Sequence, residues 1–274
     1  MSNSAAQVGE EYSTPALPRQ SVPRGHVGAG DARPDFQYAS HFVYNAPIIQ
    51  LEEEPAIMSV AQHPPVNQDK EPIRVFKSDF LEFFTHIHWA SVPIIWVPVV
   101  LVCLALAIVN AANAGSGGFE WHIGLGYLAG MVVWTFAEYN VHRFLFHLRP
   151  RAPWQERMVF LLHGIHHYQP HCKTRLVLPP ALSVPMAAIF FAFFYLILSV
   201  LLSASPWVLP VFAGFLTGYV IYDTIHYATH HAVMRGRALK FLKKHHMFHH
   251  FKTPNARYGV SSPWWDYVYG TLPA

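Results

Sequence analysis

Pro206-Trp-Val-Leu-Pro-Val-Phe-Ala-Gly-Phe-Leu-Thr-Gly-Tyr-Val-Ile-Tyr222 runs 17 residues without a charge and passes straight into Asp223-Thr-Ile-His226-Tyr-Ala-Thr-His230-His231. An uncharged stretch close to 20 residues is a candidate for a helix that crosses a bilayer. The histidines that follow it then stand where a span leaves the membrane. Working outward, three more stretches lack charge: Val92 to Asn110 over 19 residues, Trp121 to Ala137 over 17, and Ala181 to Ser205 over 25. With 52% hydrophobic and 13% charged residues, the 274-residue chain is oily for a water-soluble protein.

Taken singly, the two shorter stretches also fit buried helices of a soluble core. The distribution of basic residues separates the readings. Arg143, Arg149, Arg151, Arg157, Lys173 and Arg175 lie between the second and third stretches, and seven Lys or Arg residues follow the fourth. Ala111 to Glu120 and the residues near Ser205 contain none. By the positive-inside rule, both termini and the second-to-third connection are cytoplasmic. The expected architecture is an all-α integral membrane protein. Four transmembrane helices, at about 92–110, 121–140, 181–204 and 206–225, form two hairpins feeding a cytosolic helical cap.

Residues 1–88 carry 6 basic and 11 acidic side chains, and residues 89–274 carry 13 and 5. The basic rim is explained by topology and anionic headgroups, so nucleic acid is not an expected partner. Cys103 and Cys172 form no CxxC pattern, which leaves neither a disulfide framework nor a cysteine-ligated zinc finger. Nine of the 22 prolines fall within the first 72 residues, together with the acidic run Glu52-Glu53-Glu54 and no apolar period. Residues 1–71 therefore read as a disordered cytoplasmic tail, in which His26, His41 and His63 are solvated. The tail begins with no signal-peptide pattern, so the first span is expected to direct insertion. From Ile73 to Trp89 the spacing of Phe76, Phe80, Leu81, Phe83, Phe84 and Ile87 predicts an amphipathic interfacial helix.

Thirteen of the nineteen histidines fall in four clusters: His142 with His147; His163, His166 and His167 with His171; His226 and His230 with His231; and His245 with His246, His249 and His250. Neutral imidazole suits iron, copper and zinc, and ten well-spaced imidazoles are too many for one metal. At about 100° per residue, positions i, i+3 and i+4 share one helical face. His163, His166 and His167 form one such set, His246, His249 and His250 another, and His226 with His230 is an i, i+4 pair. His142 and His147 are five apart, roughly 140° off in an ideal helix, so the helix is expected to loosen near Phe146. His171, His231 and His245 adjoin the cores without fitting the spacing, and His86, His88 and His122 read as interfacial.

Ligating histidines pass their second ring proton to a carboxylate or carbonyl. Glu138 is four residues before His142 and Asp223 three before His226, so both are candidate orienters behind the ligands. Asp223 reads equally well as a polar residue ending a span. A metal transporter would place its coordinating groups near the bilayer midplane, where these spans have none. A storage or structural protein would tolerate loss of single histidines.

These residues resemble the membrane fatty acid hydroxylase and sterol desaturase superfamily, and within it the fatty acid 2-hydroxylases of sphingolipid acyl chains. The resemblance is carried by Glu138-Tyr139 ahead of His142 and His147, by His163-Gly-Ile-His-His167 followed by Arg175-Leu-Val-Leu-Pro-Pro180, and by Gly218-Tyr-Val-Ile-Tyr-Asp223. It continues through Leu242-Lys-Lys-His-His246, His249-His250-Phe251, Gly259-Val-Ser-Ser262 and Trp265-Asp266, covering roughly residues 72 to 274. It implies that His142, His147, His163, His166, His167, His226, His230, His246, His249 and His250 hold two metal ions beneath a cytosolic helical cap. Iron is expected for activity, with O2 as co-substrate and hydroxylation at C2 of a long acyl group of a sphingolipid or ceramide. Zinc in a purified sample would be a substitute or resting occupant. Many relatives begin with a haem-binding b-type cytochrome domain, and the tail has no His-Pro-Gly-Gly haem motif. Electrons are therefore expected from a separate b-type cytochrome, or from a ferredoxin with its reductase. Arg175 is a candidate for guiding the polar head of the substrate and reads equally as a positive-inside residue. The membrane is that of the endoplasmic reticulum or a bacterial inner membrane. Sphingoid-base, sterol or carotenoid hydroxylases and desaturases of the same superfamily would need the same histidines.

Overall fold

The computed structural model describes residues 66–115, 118 and 120–273, which are helical without a strand among them. The expected tail lies outside the described residues up to position 65. The helices are α1 (Asp79–Phe83), α2 (Ser91–Asn113), α3 (Trp121–Asn140), α4 (Pro153–Val159), α5 (Ile165–Tyr168), α6 (Pro180–Phe194), α7 (Val208–His231), α8 (Arg237–Phe251) and α9 (Trp264–Val268). Three π-helical stretches extend or join them: Val141–Phe146 after α3, Phe160–Gly164 between α4 and α5, and Tyr195–Leu201 after α6.

Helix α7 is the axis of the bundle. Three helical stretches are long and apolar enough to cross a membrane: Ser91–Asn113, Pro180–Leu201 and Ser205–His231. The last is 67% buried inside the protein, against 28% and 11% for the other two. The outer helices instead expose aliphatic side chains, such as Ile94 and Leu101 on α2 and Ile189 on α6. An apolar surface of this extent fits lipid rather than water. Trp121–Asn140, which carries His122, Glu138 and several glycines, is not among the three.

α3 and α7 run parallel and touch backbone to backbone. A Cβ on Gly130 would stand 2.0 Å from the Val211 carbonyl oxygen, and one on Gly214 would stand 1.9 Å from that of Tyr127. Small residues permit this approach, as they do at helix interfaces in membranes. α2 packs antiparallel on α7, with Trp96 edge-on to Tyr219 and Trp89 stacked on Tyr227. α6 does the same through Phe190 against Phe215 and Phe191 against Phe212. Successive helices α2 and α3, and α6 and α7, thus run antiparallel, while α2, α3 and α6 are gathered on α7. Parallel α3 and α7 begin together, where Trp121 meets Trp207, and end together at the histidines.

The interfacial helix expected over Ile73–Trp89 is reduced to the five residues of α1. The flanking backbone bonds elsewhere. Ile73 N–H donates to the Gln169 side chain at 3.0 Å, Ile87 N–H to the Thr174 carbonyl at 2.8 Å, and Val75 and Phe76 N–H to the Glu82 carboxylate at 2.9 and 2.7 Å. These long-range partners satisfy donors that a continuous helix would use internally. The segment is a strap over residues 168–175, and Phe80 and Phe83 on it remain exposed.

Candidate metal centre

The ten histidines assemble as two adjacent groups of five. His142, His147, His163, His167 and His249 form the first set, and His166, His226, His230, His246 and His250 the second. Within each set one ring nitrogen per residue lies within 4.8 Å of all the others. The sets meet where the His167 and His250 rings stack at 4.1 Å.

Each HxxHH motif is divided between the sets. His163 and His167 join the first and His166 the second, whereas His246 and His250 join the second and His249 the first. The cause is the helical repeat. At about 100° per residue, i+4 sits roughly 40° to one side of position i and i+3 roughly 60° to the other. The shared face expected from spacing is real, but neighbouring histidines on it diverge toward different centres. His142 and His147 are brought together by the π-helix from Val141, in which His147 N–H donates to the His142 carbonyl at 3.1 Å, an i+5 bond. The helix loosens as expected, but five residues earlier than Phe146. A π turn matches a five-residue spacing as an α turn matches four.

Burial keeps these rings neutral. It pushes the imidazoles of His142, His163, His166, His167, His246, His249 and His250 well below the ordinary pKa of 6.5, and that of His147 to about 2; neighbouring histidines add to the effect. Neutral imidazole is the metal-binding form.

The donor atoms fit a metal better than they fit one another. His142 Nδ1–H donates to the Tyr258 carbonyl at 2.5 Å and His249 Nδ1–H to the Ala256 carbonyl at 2.7 Å. Each Nε2 must then carry a lone pair. Yet His142 Nε2 stands 3.0 Å from His163 Nε2, and His249 Nε2 stands 3.1 Å from that of His147 and 3.2 Å from that of His167. In the second set His226 Nε2 and His166 Nε2 are 2.9 Å apart, as are those of His230 and His246. Neutral ring nitrogens converging in this way, two of them with the lone pair fixed inward, form a donor set that fits a cation. A metal about 2.1 Å from each nitrogen requires donors no more than about 4.2 Å apart, which small ring rotations provide.

Beside the sets lies a cavity of about 540 Å³, with His163, His166 and His226 in its wall. The rest is mostly apolar, including Leu161, Leu182, Met186, Phe190, Phe215 and Leu216. Leu81, Phe84, Trp154 and Ala181 line it and are also exposed, so they mark its mouth.

The fatty acid hydroxylase family pattern matches residues 127–271, which contain all ten histidines and most of the cavity wall. The chain belongs to the fatty acid hydroxylase family. It is 41% identical over 201 residues to a dihydroceramide fatty acyl 2-hydroxylase of Arabidopsis thaliana, covering 73% of this chain and 80% of the relative. To the fatty acid 2-hydroxylase of Mus musculus it is 40% identical over 226 residues, covering 77% of this chain and 58% of that one. Among solved structures it resembles full-length scs7p, in which only the hydroxylase domain is visible. There the TM-score is 0.64 and the identity 37%, over 72% of this chain and 70% of that chain. Proteins of this hydroxylase family depend on metal, and the two sets could hold it.

In this hydroxylase the groups that orient the histidines are not those expected from sequence. The Glu138 carboxylate does not reach His142. It accepts from Val260 N–H at 2.7 Å, from Ser261 N–H at 2.8 Å and from the Ser261 hydroxyl. The Asp223 carboxylate accepts from Leu178 N–H at 3.2 Å, and His226 Nδ1 has no protein partner among the described residues. The reason is directional: a side chain one turn earlier shares the face but points along it, while the orienting carbonyls approach from residues 256–258. Arg175 lines the cavity and pairs with Glu82; its Nε and Nη1 are buried without a protein partner.

Asp266 belongs to the residues that carry the resemblance, but sequence reasoning gave it no role. It is wholly buried and accepts from Tyr258 N–H and Gly259 N–H at 2.8 Å each, from the Thr271 hydroxyl at 2.7 Å and from His245 Nε2 at 3.2 Å. Burial pushes its carboxyl up, but the bonds from His245, Thr271, Gly259 and Tyr258 outweigh it and hold the pKa below the ordinary value. Scarcity was the available signal, since residues 89–274 contain only five acidic side chains. Of the histidines outside the cores, His245 is buried on Asp266, His171 is exposed, and His86 joins Glu82 and Arg175 in the strap.

Proposed function

We propose that this chain is an O2-dependent membrane hydroxylase that places a hydroxyl on C2 of a long fatty acyl group of the sphingolipid type; its relatives are named as fatty acid or dihydroceramide fatty acyl 2-hydroxylases. The observation that carries the reading is the pair of five-histidine sets facing an apolar cavity. In it, His142, His147, His163, His167 and His249 hold one ion, and His166, His226, His230, His246 and His250 hold the other. Iron is the metal required, because zinc offers no accessible redox state. When bound, iron supplies the reduction and cleavage of O2: one oxygen atom enters the C2–H bond as hydroxyl, the other leaves as water, and two electrons and two protons come from outside.

The remaining work falls to the chain's own side chains. The apolar wall formed by Leu182, Phe190, Phe215 and Leu216 excludes water and aligns the acyl tail. His163 belongs to the first set and His166 and His226 to the second, so a carbon held against them reaches both. Arg175, with two buried guanidinium nitrogens free of protein partners among the described residues, is the donor for the carbonyl or polar head of the substrate. Electrons come from a separate b-type cytochrome or ferredoxin. α2, α3, α6 and α7 cross the membrane, and the histidines lie on its cytoplasmic side, a reading supported by the basic residues of the connections on that side.

Expression in a host without 2-hydroxy lipids, followed by fatty acid analysis under labelled O2, tests the proposal. Labelled 2-hydroxy acyl chains are expected. Hydroxylated sphingoid bases, sterols or carotenoids would move the activity to another branch of the superfamily, and hydroxyl without label would sink the mechanism.

A further inference from the structure

One loop supports the first histidine set and leaves the second alone. Ala256 and Tyr258 aim their carbonyls at His249 and His142, and between them Arg257 is left-handed, with φ of 61°. A non-glycine residue adopts that conformation only where its surroundings over-determine it. Two buried carboxylates supply the constraint. Asp266 takes the N–H groups of Tyr258 and Gly259, and Glu138 takes those of Val260 and Ser261, so four successive amides are held from two sides. Gly259 allows the approach, because a Cβ there would stand 2.1 Å from the Ser262 carbonyl oxygen and 2.9 Å from Asp266 Oδ2. Among the described residues nothing equivalent is seen behind the second set: Nδ1 of His166, His226 and His246 has no protein partner.

The geometry points to Asp266 and Glu138 as positioning residues for one metal only. Acting through the 256–261 loop, they fix the tautomer and aim of His142 and His249, and so hold the first-set ion more firmly than the second-set ion. This rests on the reading of the histidines as ligands. The two carboxylates differ in what can replace them. The two Glu138 oxygens are used differently, since Oε1 accepts both amides whereas Oε2 faces a serine hydroxyl that can also accept. Glutamine can therefore reproduce the Glu138 set. Each Asp266 oxygen accepts a backbone N–H, so an asparagine NH2 must oppose a donor on one side or the other.

The test uses the full chain in detergent, loaded with ferrous iron-57. It reads iron retained per chain after a chelator challenge and the Mössbauer signals of the two ions, with helicity checked by circular dichroism. Wild type is expected to release its second-set ion first. Asp266→Asn and Glu138→Ala should release the first-set ion ten- to a hundredfold faster, the range expected when a group behind a ligand is lost. Glu138→Gln should behave as wild type. Combining Asp266→Asn with His230→Ala should empty both sets, whereas combining it with His147→Ala should lose no more iron than His147→Ala alone. If Asp266→Asn does not fold, Glu138→Ala against Glu138→Gln carries the same comparison. Unchanged release in Asp266→Asn and Glu138→Ala, or equal loss of both ions in a folded variant, overturns the proposal and leaves the ligand reading standing. A folded wild type that binds no iron overturns both.

Discussion

The two histidine sets use the same side chain and the same number of donors, yet the protein behind them differs. Two rings of the first set are locked by backbone carbonyls 2.5 and 2.7 Å away, on a loop clamped by buried carboxylates. The second set draws His226 and His230 from the end of α7, the most buried of the apolar helices, and among the described residues Nδ1 of His166, His226 and His246 meets no protein partner. One set is held by a loop and the other by a helix. Equal ligand counts therefore do not mean equal preorganisation, which depends on what each ring's second nitrogen meets.

The harshest test of this comparison removes one ligand from each set. On the proposed function, His163→Ala and His246→Ala should both reduce 2-hydroxy product to background, with the protein still inserted, because each would strip one of two ions that act together. Product analysis of membranes with immunoblotted protein levels measures this. Full activity in either variant would break the equivalence of the sets in chemistry. Acid should act next most strongly, on the metal-free protein. Its buried imidazoles have folded pKa values below 6.5, about 2 for His147, while the unfolded chain titrates near 6.5. Below that pH the unfolded state takes up protons that the folded state refuses, so stability falls as pH drops from about 6.5 toward the folded values. Each such ring costs about 1.4 kcal/mol per pH unit. The thermal midpoint of the metal-free protein should fall steeply between pH 7 and 5; a flat profile would mean that the rings are hydrated.

Gly259→Ala should act less strongly and on one set. Its Cβ must displace the Ser262 carbonyl or the Asp266 carboxylate, which moves the carbonyl aimed at His142. A ten- to hundredfold weaker hold on the first-set ion is expected, with the second-set Mössbauer signal unchanged.

How much of this was legible in the chain depends on how far apart the partners lie. Helix α7 and its histidines follow from an uncharged run and a four-residue spacing, which are local properties. The five-residue spacing of His142 and His147 indicated that the helix loosens, but neither the π turn nor its start at Val141 was read from it. Which set each histidine of an HxxHH motif joins was not legible, since i+3 and i+4 diverge toward neighbours that other helices supply. Glu138 stands out by its spacing from His142, but its carboxylate does not meet that ring, because its partners Val260 and Ser261 are 122 and 123 residues away and no periodicity reports such a contact. The expected helix over Ile73–Trp89 failed for the same reason, because the amides of that segment bond to residues 169 and 174. The gross placement of the site is written in local pattern, and its fine orientation in long-range backbone bonds.

The smallest predicted effect separates two histidines that adjoin the cores. His245 sits one residue before His246 and is 3% exposed, with Nε2 on Asp266. His231 sits one residue after His230, and its Nε2 has no partner. Neither is within a five-ligand set. If the loop behind the first set matters, removing His245 loosens Asp266 and through it Tyr258, whereas removing His231 disturbs ring contacts with Tyr227 and His230 and leaves that loop alone. His245→Ala should therefore lower turnover by about tenfold at most, with a selective change in the first-set Mössbauer signal. His231→Ala should leave turnover within about twofold, as for a change away from any satisfied network. Equal effects of the two would mean that Asp266 holds the loop without His245, and the outer support of the first set would then end at the carboxylate.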